Sequence, residues 1–154
     1  LVLNTVLHRN LSLAEKIASV YGEQAVVGSI DAKKNLLGNY KVYAVSASEK
    51  TGKEPASWAK ELQQNGVGEI MITAIDRDGT WMGYDLELVK QVASAVSIPV
   101  VTCGGAGSFE DFEKATRAGA SAVAAGSMFV FQKKGMGVLI SFPSQKLKMP
   151  DVIH

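Results

Sequence analysis

The sequence predicts an α/β fold in which parallel strands alternate with helices. Short apolar runs of strand length recur along the chain, a segment with apolar residues at helical spacing follows most of them, and each run stops abruptly at glycine or polar residues. Such repeats imply parallel strands joined by right-handed crossovers. Candidate site residues are therefore expected at the carboxyl ends of the strands, where α/β proteins hold their ligands.

Composition limits the class of protein. With 154 residues, of which 47% are hydrophobic, the chain is long enough for one domain. The net charge of +1, without long runs of like charge, gives no argument for a nucleic acid or an anionic membrane as partner. No apolar run has the length of a membrane span and no signal peptide is recognisable, so a cytoplasmic location is expected.

Cysteine and histidine usage gives no sign of a disulfide, a metal site or another cofactor. Cys103 has no second cysteine to pair with, and His8 and His154 stand alone in the sequence. We therefore expect no metal, and no cofactor is predicted. The near-neutral charge predicts a small molecule or a protein as partner.

The first strand and helix are predicted in residues 1–21. The apolar run at residues 1–5 ends in Asn4 and Thr5, which are expected at a strand's carboxyl end. Because the chain starts with leucine, inside an apolar run, we expect a piece of a longer protein. Ser12 and Glu15 have capping-box spacing at the start of a helix over residues 12–21.

The second repeat carries an acid and an insertion. A strand over residues 24–30 is followed by Asp31, for which a turn and a site remain equal alternatives on the residues alone. Residues 34–53 have the pattern of a hairpin, long enough to serve as a flap over a site. Pro55 opens the next helix, which extends to about residue 65 and places Trp58 in the core.

The third repeat has the strongest site signal. A buried strand over residues 68–75 stops in a polar loop, and the loop makes four residues site candidates: Asp76, Asp78, Gly79 and Thr80. Asp85 then caps a helix that runs to about residue 97.

The last two strands are predicted at residues 98–103 and 121–126, and a glycine-containing turn follows each strand. Gly104 and Gly105 lead to a helix start, whose free N–H groups and dipole suit a phosphate. Gly126 and Ser127 form the second turn. Either turn alone is more often structural, but neighbouring turns of this kind commonly share one phosphate in eight-stranded barrels. Residues 137–142 are predicted as a short strand or helix.

Five strands are too few to close a barrel. The sequence therefore leaves two architectures: a small open parallel sheet, or the carboxyl-terminal portion of a (β/α)8 barrel. The partial first strand favours the barrel.

Three segments carry a family resemblance: QAVVGSIDAK, NGVGEIMITAIDRDGTWMGYDLELVKQV and IPVVTCGGAGSFEDFEKATRAGASAVAAGSMF. Together they resemble the cyclase subunit of imidazole glycerol phosphate synthase, a (β/α)8 TIM barrel of histidine biosynthesis. The resemblance covers residues 1 to about 131 and only about the last five-eighths of that barrel. It implies one partial barrel domain over residues 1–154, with strands 4 to 8 present and the amino-terminal strands absent.

The resemblance also implies a reaction and a site. The family takes ammonia from a partner glutaminase through the barrel axis and closes the imidazole ring of a bis-phosphorylated ribonucleotide. Asp31 matches one of two acid–base aspartates; the other lies outside this chain, so the chain alone is expected to be inactive. The resemblance assigns substrate or phosphate binding to Asn4, Thr5, Thr73, Asp78, Gly79, Gly104, Gly105, Gly126 and Ser127.

Departures from the family pattern keep two alternatives open. Cys103 stands where serine is usual and Val130 where histidine-pathway members have histidine, and the tail FVFQKKGMGVLISFP is unlike theirs. That tail resembles a branch, associated with surface-polysaccharide clusters, that helps convert acetamido sugars into acetamidino sugars. The other alternative is a non-catalytic half-barrel, whose exposed sheet edges predict self-association or pairing with the absent half.

Overall fold

The structure is a computed structural model that describes residues 1–131, 137 and 138. Its strands are Val2–Leu3 (β1), Val27–Lys34 (β2), Tyr40–Ala44 (β3), Glu49–Lys50 (β4), Glu69–Ala74 (β5), Val100–Cys103 (β6) and Ala122–Ala124 (β7). Its α-helices are Thr5–Arg9 (α1), Ser12–Tyr21 (α2), Pro55–Gln64 (α3), Leu86–Ala93 (α4), Phe109–Arg117 (α5) and Ser127–Val130 (α6).

All seven strands belong to one sheet of mixed direction. Strands β1, β2, β5, β6 and β7 are parallel and adjacent in chain order. The hairpin of β3 and β4 is antiparallel and extends the carboxyl-terminal part of β2. The predicted parallel α/β fold and the predicted hairpin are therefore confirmed.

The two faces of the sheet differ in how they are covered. Residues 27–33 of β2 and all residues of β5 alternate between half-buried and buried. The buried set, including Ile30, Ile70 and Ile72, packs in one core with Trp58 and Leu62 of α3. The half-buried set on the opposite face, which includes Ser29, Asp31, Met71, Thr73 and Val101, belongs to neither apolar core of the described residues.

This one-sided core distinguishes between the two predicted architectures. An open parallel sheet carries helices on both faces, whereas a (β/α) barrel carries them only outside and turns its other face inward. The described residues thus form an α/β fold that is consistent with a TIM-barrel-family fragment.

The helices form where the sequence combines an apolar stripe with suitable ends. Pro55 starts α3, and Trp58 is 1% exposed, as predicted. Asp85 caps α4 by accepting a hydrogen bond from Leu88 N at 3.2 Å. Ser108 and Asp111 form a capping box at the start of α5. Gly22, with φ of +86°, ends α2.

Several predicted boundaries are wrong. Residues 4 and 5 do not continue the first strand, because Thr5 begins α1. Residues 24 and 25 lie in a short 3₁₀ helix, and Asp31 lies inside β2, which continues because β3 pairs with it. The helix predicted to residue 97 ends at Ala93. Ser12 and Glu15 form no capping box, since α2 has no side-chain cap and the Ser12 hydroxyl donates to Asn10 Oδ1.

The prediction for residues 137–142 lies mostly outside the described residues. Val138 forms an isolated antiparallel bridge with Phe131. Within residues 1–131, 137 and 138, no helix is both long and apolar enough to cross a membrane.

Candidate active site

Three residues form a row across the sheet, and two of them are predicted site residues. Asp31 on β2 is in register with Thr73 on β5, and Thr73 is in register with Cys103 on β6. All three are half-buried on the open face. Because the strands are parallel, the row lies near their carboxyl ends, where the sequence placed the site.

Asn4 joins this row from the end of β1. Its amide Nδ2 donates to Asp31 Oδ2 at 3.0 Å and approaches Ser29 Oγ at 3.4 Å. Its Oδ1 atom is buried without a hydrogen-bond partner among the described residues. The amide therefore orients the Asp31 carboxylate and leaves one acceptor for a ligand N–H or O–H group. Ser29, two residues before Asp31 on the same face, was not among the sequence-derived candidates.

Thr5 is engaged by the protein itself. Its hydroxyl oxygen accepts a hydrogen bond from Val45 N, in the hairpin, at 3.0 Å. The Thr5 side chain therefore bonds to the hairpin, whereas the side chain of its neighbour Asn4 bonds to Asp31.

The four predicted site residues in the loop after β5 have different environments. Asp76 is exposed and does not line the site cavity. The Thr80 hydroxyl donates to Arg77 O at 2.7 Å and so closes the loop's turn. Asp78 and Gly79, in contrast, face the cavity described next.

One small cavity brings together the predicted phosphate residues. It is lined by Asp78 and Gly79, by the turn after β6 and by the turn after β7, with the full lining Asp78, Gly79, Cys103, Gly104, Gly105, Ala106, Ala124, Ala125, Gly126 and Ser127. A Cβ atom placed on Gly79 would lie 4.0 Å from Ser127 Oγ, so these loops approach closely. The two glycine turns therefore line one cavity, and a shared phosphate there stays a prediction.

The structural reason for glycine differs among the positions of these turns. Gly104 has φ of +89°, and a Cβ there would lie 2.7 Å from Ala74 O. Gly105 has φ of +105°, and a Cβ there would clash with the Gly83 carbonyl. Gly126 has ordinary negative φ, and a Cβ there would meet no atom within 4 Å. Packing explains the first two glycines, whereas Gly126 keeps space open.

The helix start after Gly105 offers fewer free N–H groups to an anion than predicted. Asp111 Oδ2 accepts from Gly107 N at 3.0 Å and from Ser108 N at 2.9 Å. These amides are thus occupied by the capping box, and the carboxylate cancels part of the helix dipole. Within the described residues, the amides of Gly105 and Gly126 donate to no acceptor and remain available to an anion.

Cys103 borders both the row and the cavity. Burial raises the pKa of its thiol, and the nearby Asp78 carboxylate raises it further. A thiol held in its neutral form is a poor nucleophile, so Cys103 is not assigned a nucleophilic role. No group of three or more metal-ligating side chains occurs within the part of the chain that the structure describes.

Sequence patterns did not indicate the polar groups that stabilise the loop after β5 through hydrogen bonds. The Tyr40 hydroxyl donates to the buried Asp85 carboxylate at 2.7 Å, and Arg77 Nε lies 3.7 Å from the other oxygen of Asp85. The Tyr84 hydroxyl donates to Ala124 O at 2.9 Å and ties the same loop to β7. Nothing in the sequence around Tyr40 distinguishes this hydrogen-bonding role from simple core packing.

Comparison with known proteins identifies the family. The family described as "Histidine biosynthesis protein" matches residues 1–134. The chain is 48% identical over 130 residues to the imidazole glycerol phosphate synthase subunit HisF of Pyrobaculum aerophilum, covering 84% of this chain and 51% of the relative. It is 44% identical over 132 residues to the subunit of the same name from Alkaliphilus metalliredigens, covering 85% and 52%.

A third relative matches more of the chain. The Pseudomonas aeruginosa protein named "Putative imidazole glycerol phosphate synthase subunit hisF2" is 46% identical over 142 residues, covering 92% of this chain and 57% of the relative. Because the family match ends at residue 134, this longer alignment extends beyond it. The chain spans about half the length of the curated relatives it matches. With its fold and its family match, the chain belongs to the histidine biosynthesis protein family.

Proposed function

We propose that the chain forms strands 4 to 8 of a (β/α)8 barrel, the cyclase subunit of imidazole glycerol phosphate synthase. Three observations support this proposal. The chain spans about half of each relative's length, its five parallel strands follow one another in the sheet, and its core lies on one face only. The open face and the two sheet edges would be completed by the amino-terminal half of such a barrel.

The observation that carries the proposed function is the shared cavity beside the Asp31 row. The cavity is lined by small residues and by the amides of Gly105 and Gly126, which have no acceptor among the described residues, and such a lining suits a phosphate. A half-buried carboxylate, that of Asp31, lies two strands away near the carboxyl ends of the same strands. Phosphate binding at one end of a substrate would hold the reacting carbons near Asp31.

The reaction needs proton transfers at each step. Ammonia adds to a carbonyl carbon, water is lost, and a C–N bond breaks to release imidazole glycerol phosphate and an aminoimidazole carboxamide ribonucleotide. In this proposal the Asp31 carboxylate takes a proton from the attacking nitrogen and returns it to a leaving group. Asn4 keeps that carboxylate oriented, and Asp78 orients the substrate. A glutaminase subunit would supply the ammonia through the barrel axis.

The test is ammonia-dependent turnover of the bis-phosphorylated ribonucleotide. The chain would be joined to the amino-terminal half of the Pyrobaculum aerophilum subunit, with the lone chain expected to be inactive. Asp31→Asn in the joined protein should lower kcat roughly 100-fold or more, as expected for loss of a general acid–base group. Binding of inorganic phosphate should change little, because Asp31 does not line the phosphate cavity.

Asp76→Asn is the matched control, since Asp76 is an exposed carboxylate at the same edge of the sheet. It should leave kcat within about twofold of the parent. Full turnover by the Asp31→Asn protein would refute the assignment of Asp31.

A second function is favoured by the tail of this chain, whose sequence departs from the histidine-pathway pattern. The alignment with the Pseudomonas relative extends into this tail. The alternative is an ammonia-channelling partner in acetamidino-sugar synthesis. A joined protein that folds and binds phosphate but does not turn over the ribonucleotide would favour this alternative.

A further inference from the structure

We propose that Tyr40, on the β3 strand of the hairpin, is a positioning residue for the phosphate cavity. It acts through a relay of hydrogen bonds that fixes the loop of residues 77–84. This inference rests on the proposed phosphate site, and its first test does not require a phosphate to bind.

The relay starts at a buried contact between two repeats of the fold. Tyr40 is 6% exposed and Asp85 is 5% exposed. The Tyr40 hydroxyl donates to Asp85 Oδ1 at 2.7 Å, and this carboxylate oxygen also caps α4. Burial and the Asp85 carboxylate raise the pKa of Tyr40, so the hydroxyl stays protonated and keeps its role as donor.

The second step passes from Asp85 to Arg77. Arg77 Nε lies 3.7 Å from Asp85 Oδ2. With its planar guanidinium oriented in this way, Arg77 Nη1 donates to Gly83 O at 3.3 Å and to Tyr84 O at 3.1 Å. The guanidinium thus ties the end of the loop to its beginning, directly before Asp78.

The third step reaches the cavity wall. Gly83 N donates to Gly105 O at 2.8 Å, so the residue that accepts from Arg77 also holds the glycine turn after β6. The contact is close, because a Cβ on Gly105 would clash with the Gly83 carbonyl. A shift of Gly83 would therefore move Gly105, which lines the cavity.

The hairpin that carries Tyr40 is itself anchored at its far end. Val45 N donates to Thr5 Oγ1 at 3.0 Å. The hairpin thus connects the end of β1 with the loop after β5 and spans the Asp31 strand between them. This placement lets one hydroxyl influence the two loops that line the cavity.

The experiment compares two tyrosines of the same strand. Tyr40→Phe removes the donor and keeps the ring, whereas Tyr43→Phe removes a hydroxyl that makes no hydrogen bond within the described residues. Hydrogen exchange would be measured at the amides of Asp78, Thr80 and Gly83, which are hydrogen-bonded in the loop.

Tyr40→Phe should accelerate exchange at these amides about five- to tenfold, the effect of losing one buried hydrogen bond. The urea midpoint should fall by the free energy of that same bond, because global unfolding breaks it as well, whereas amides of α2 that exchange by local opening should stay close to those of Tyr43→Phe. Arg77→Lys, at a side chain that is 35% exposed, should accelerate the same amides and serves as the second variant if Tyr40→Phe fails to fold. Acceleration in neither variant, or equal acceleration throughout the chain, would overturn the relay.

Binding of inorganic phosphate provides the second measurement. Tyr40→Phe should weaken it by a similar factor, with Tyr43→Phe unchanged. A parent protein that binds no phosphate would refute the phosphate site, while the exchange result would still decide the relay. Accelerated loop exchange with unchanged phosphate affinity would overturn the positioning role of Tyr40.

Discussion

His8 illustrates how a single residue acquires a role that its sequence context does not show. Its ring stacks on Trp58, with 4.8 Å between the centroids and 21° between the planes. Both ring nitrogens are buried without a partner among the described residues. Burial lowers the pKa of His8, and the charge of Lys53, which lies over the Trp58 ring, lowers it further. The stack therefore favours the neutral imidazole.

This contact predicts a pH-dependent stability. The unfolded chain protonates His8 near its ordinary pKa of 6.5, whereas the folded chain resists protonation. Stability from neutral His8 is thus present above that pH and is lost as the pH falls below it. Urea midpoints should be lower at about pH 5.5 than at about pH 8.

His8→Gln is the control, because glutamine does not titrate. The variant should show a smaller difference between the two urea midpoints, and His154 is present in both proteins. With Trp81→Phe as background, Trp58 emission should also fall in acid only where His8 is present. An equal pH dependence with and without His8 would refute the prediction.

At the scale of elements, the two glycine turns give a paired prediction. Gly104→Ala should lower the free energy of unfolding by about 1–3 kcal/mol, since alanine is strained at that positive φ and would crowd Ala74 O. Gly126→Ala should change it by no more than about 0.5 kcal/mol, because its Cβ meets open space. Denaturant unfolding measures both.

Phosphate affinity should separate the same variants. Gly126→Ala adds a methyl group to a residue that lines the cavity and should weaken inorganic phosphate binding several-fold while the fold stays intact. If Gly126→Ala binds phosphate like the parent protein, the turn after β7 is structural and not part of a phosphate site.

The hairpin shows where element-level prediction succeeds and where it stops. Its strands and its turn at Gly38, with φ of +80°, follow from alternation and a turn glycine. The function as a flap stays a prediction, and the hydrogen bonds of residues 40 and 45 to neighbouring repeats follow from no local pattern. Local pattern contains no information on such distant partners.

At the scale of the whole molecule, the open face is the main feature. Met71 and Val101 lie half-buried on the face without helices, and no strand within the described residues pairs with the outer edge of β7. Sheet edges and apolar faces of this kind recruit another chain. The chain should therefore have a solution mass above that of one chain in the micromolar range, measured by sedimentation equilibrium.

Met71→Lys should shift this association toward single chains, since it places a charge on the open face. Gln91→Lys, at an exposed position of α4, makes a similar change on the helical side and should leave the association unchanged. A mass equal to one 16.3 kDa chain throughout the concentration range would contradict the prediction.

The sequence by itself determined the strands, most helices, the parallel order and the candidate residues at the strand ends. These follow from apolar periodicity, caps and turn residues, which act over a few neighbours. Only the tertiary structure decided that the core lies on one face, that Asp111 occupies two amides of the predicted phosphate turn, and that Tyr40 reaches Asp85. These contacts join residues of different repeats, and their geometry depends on how the crossovers pack.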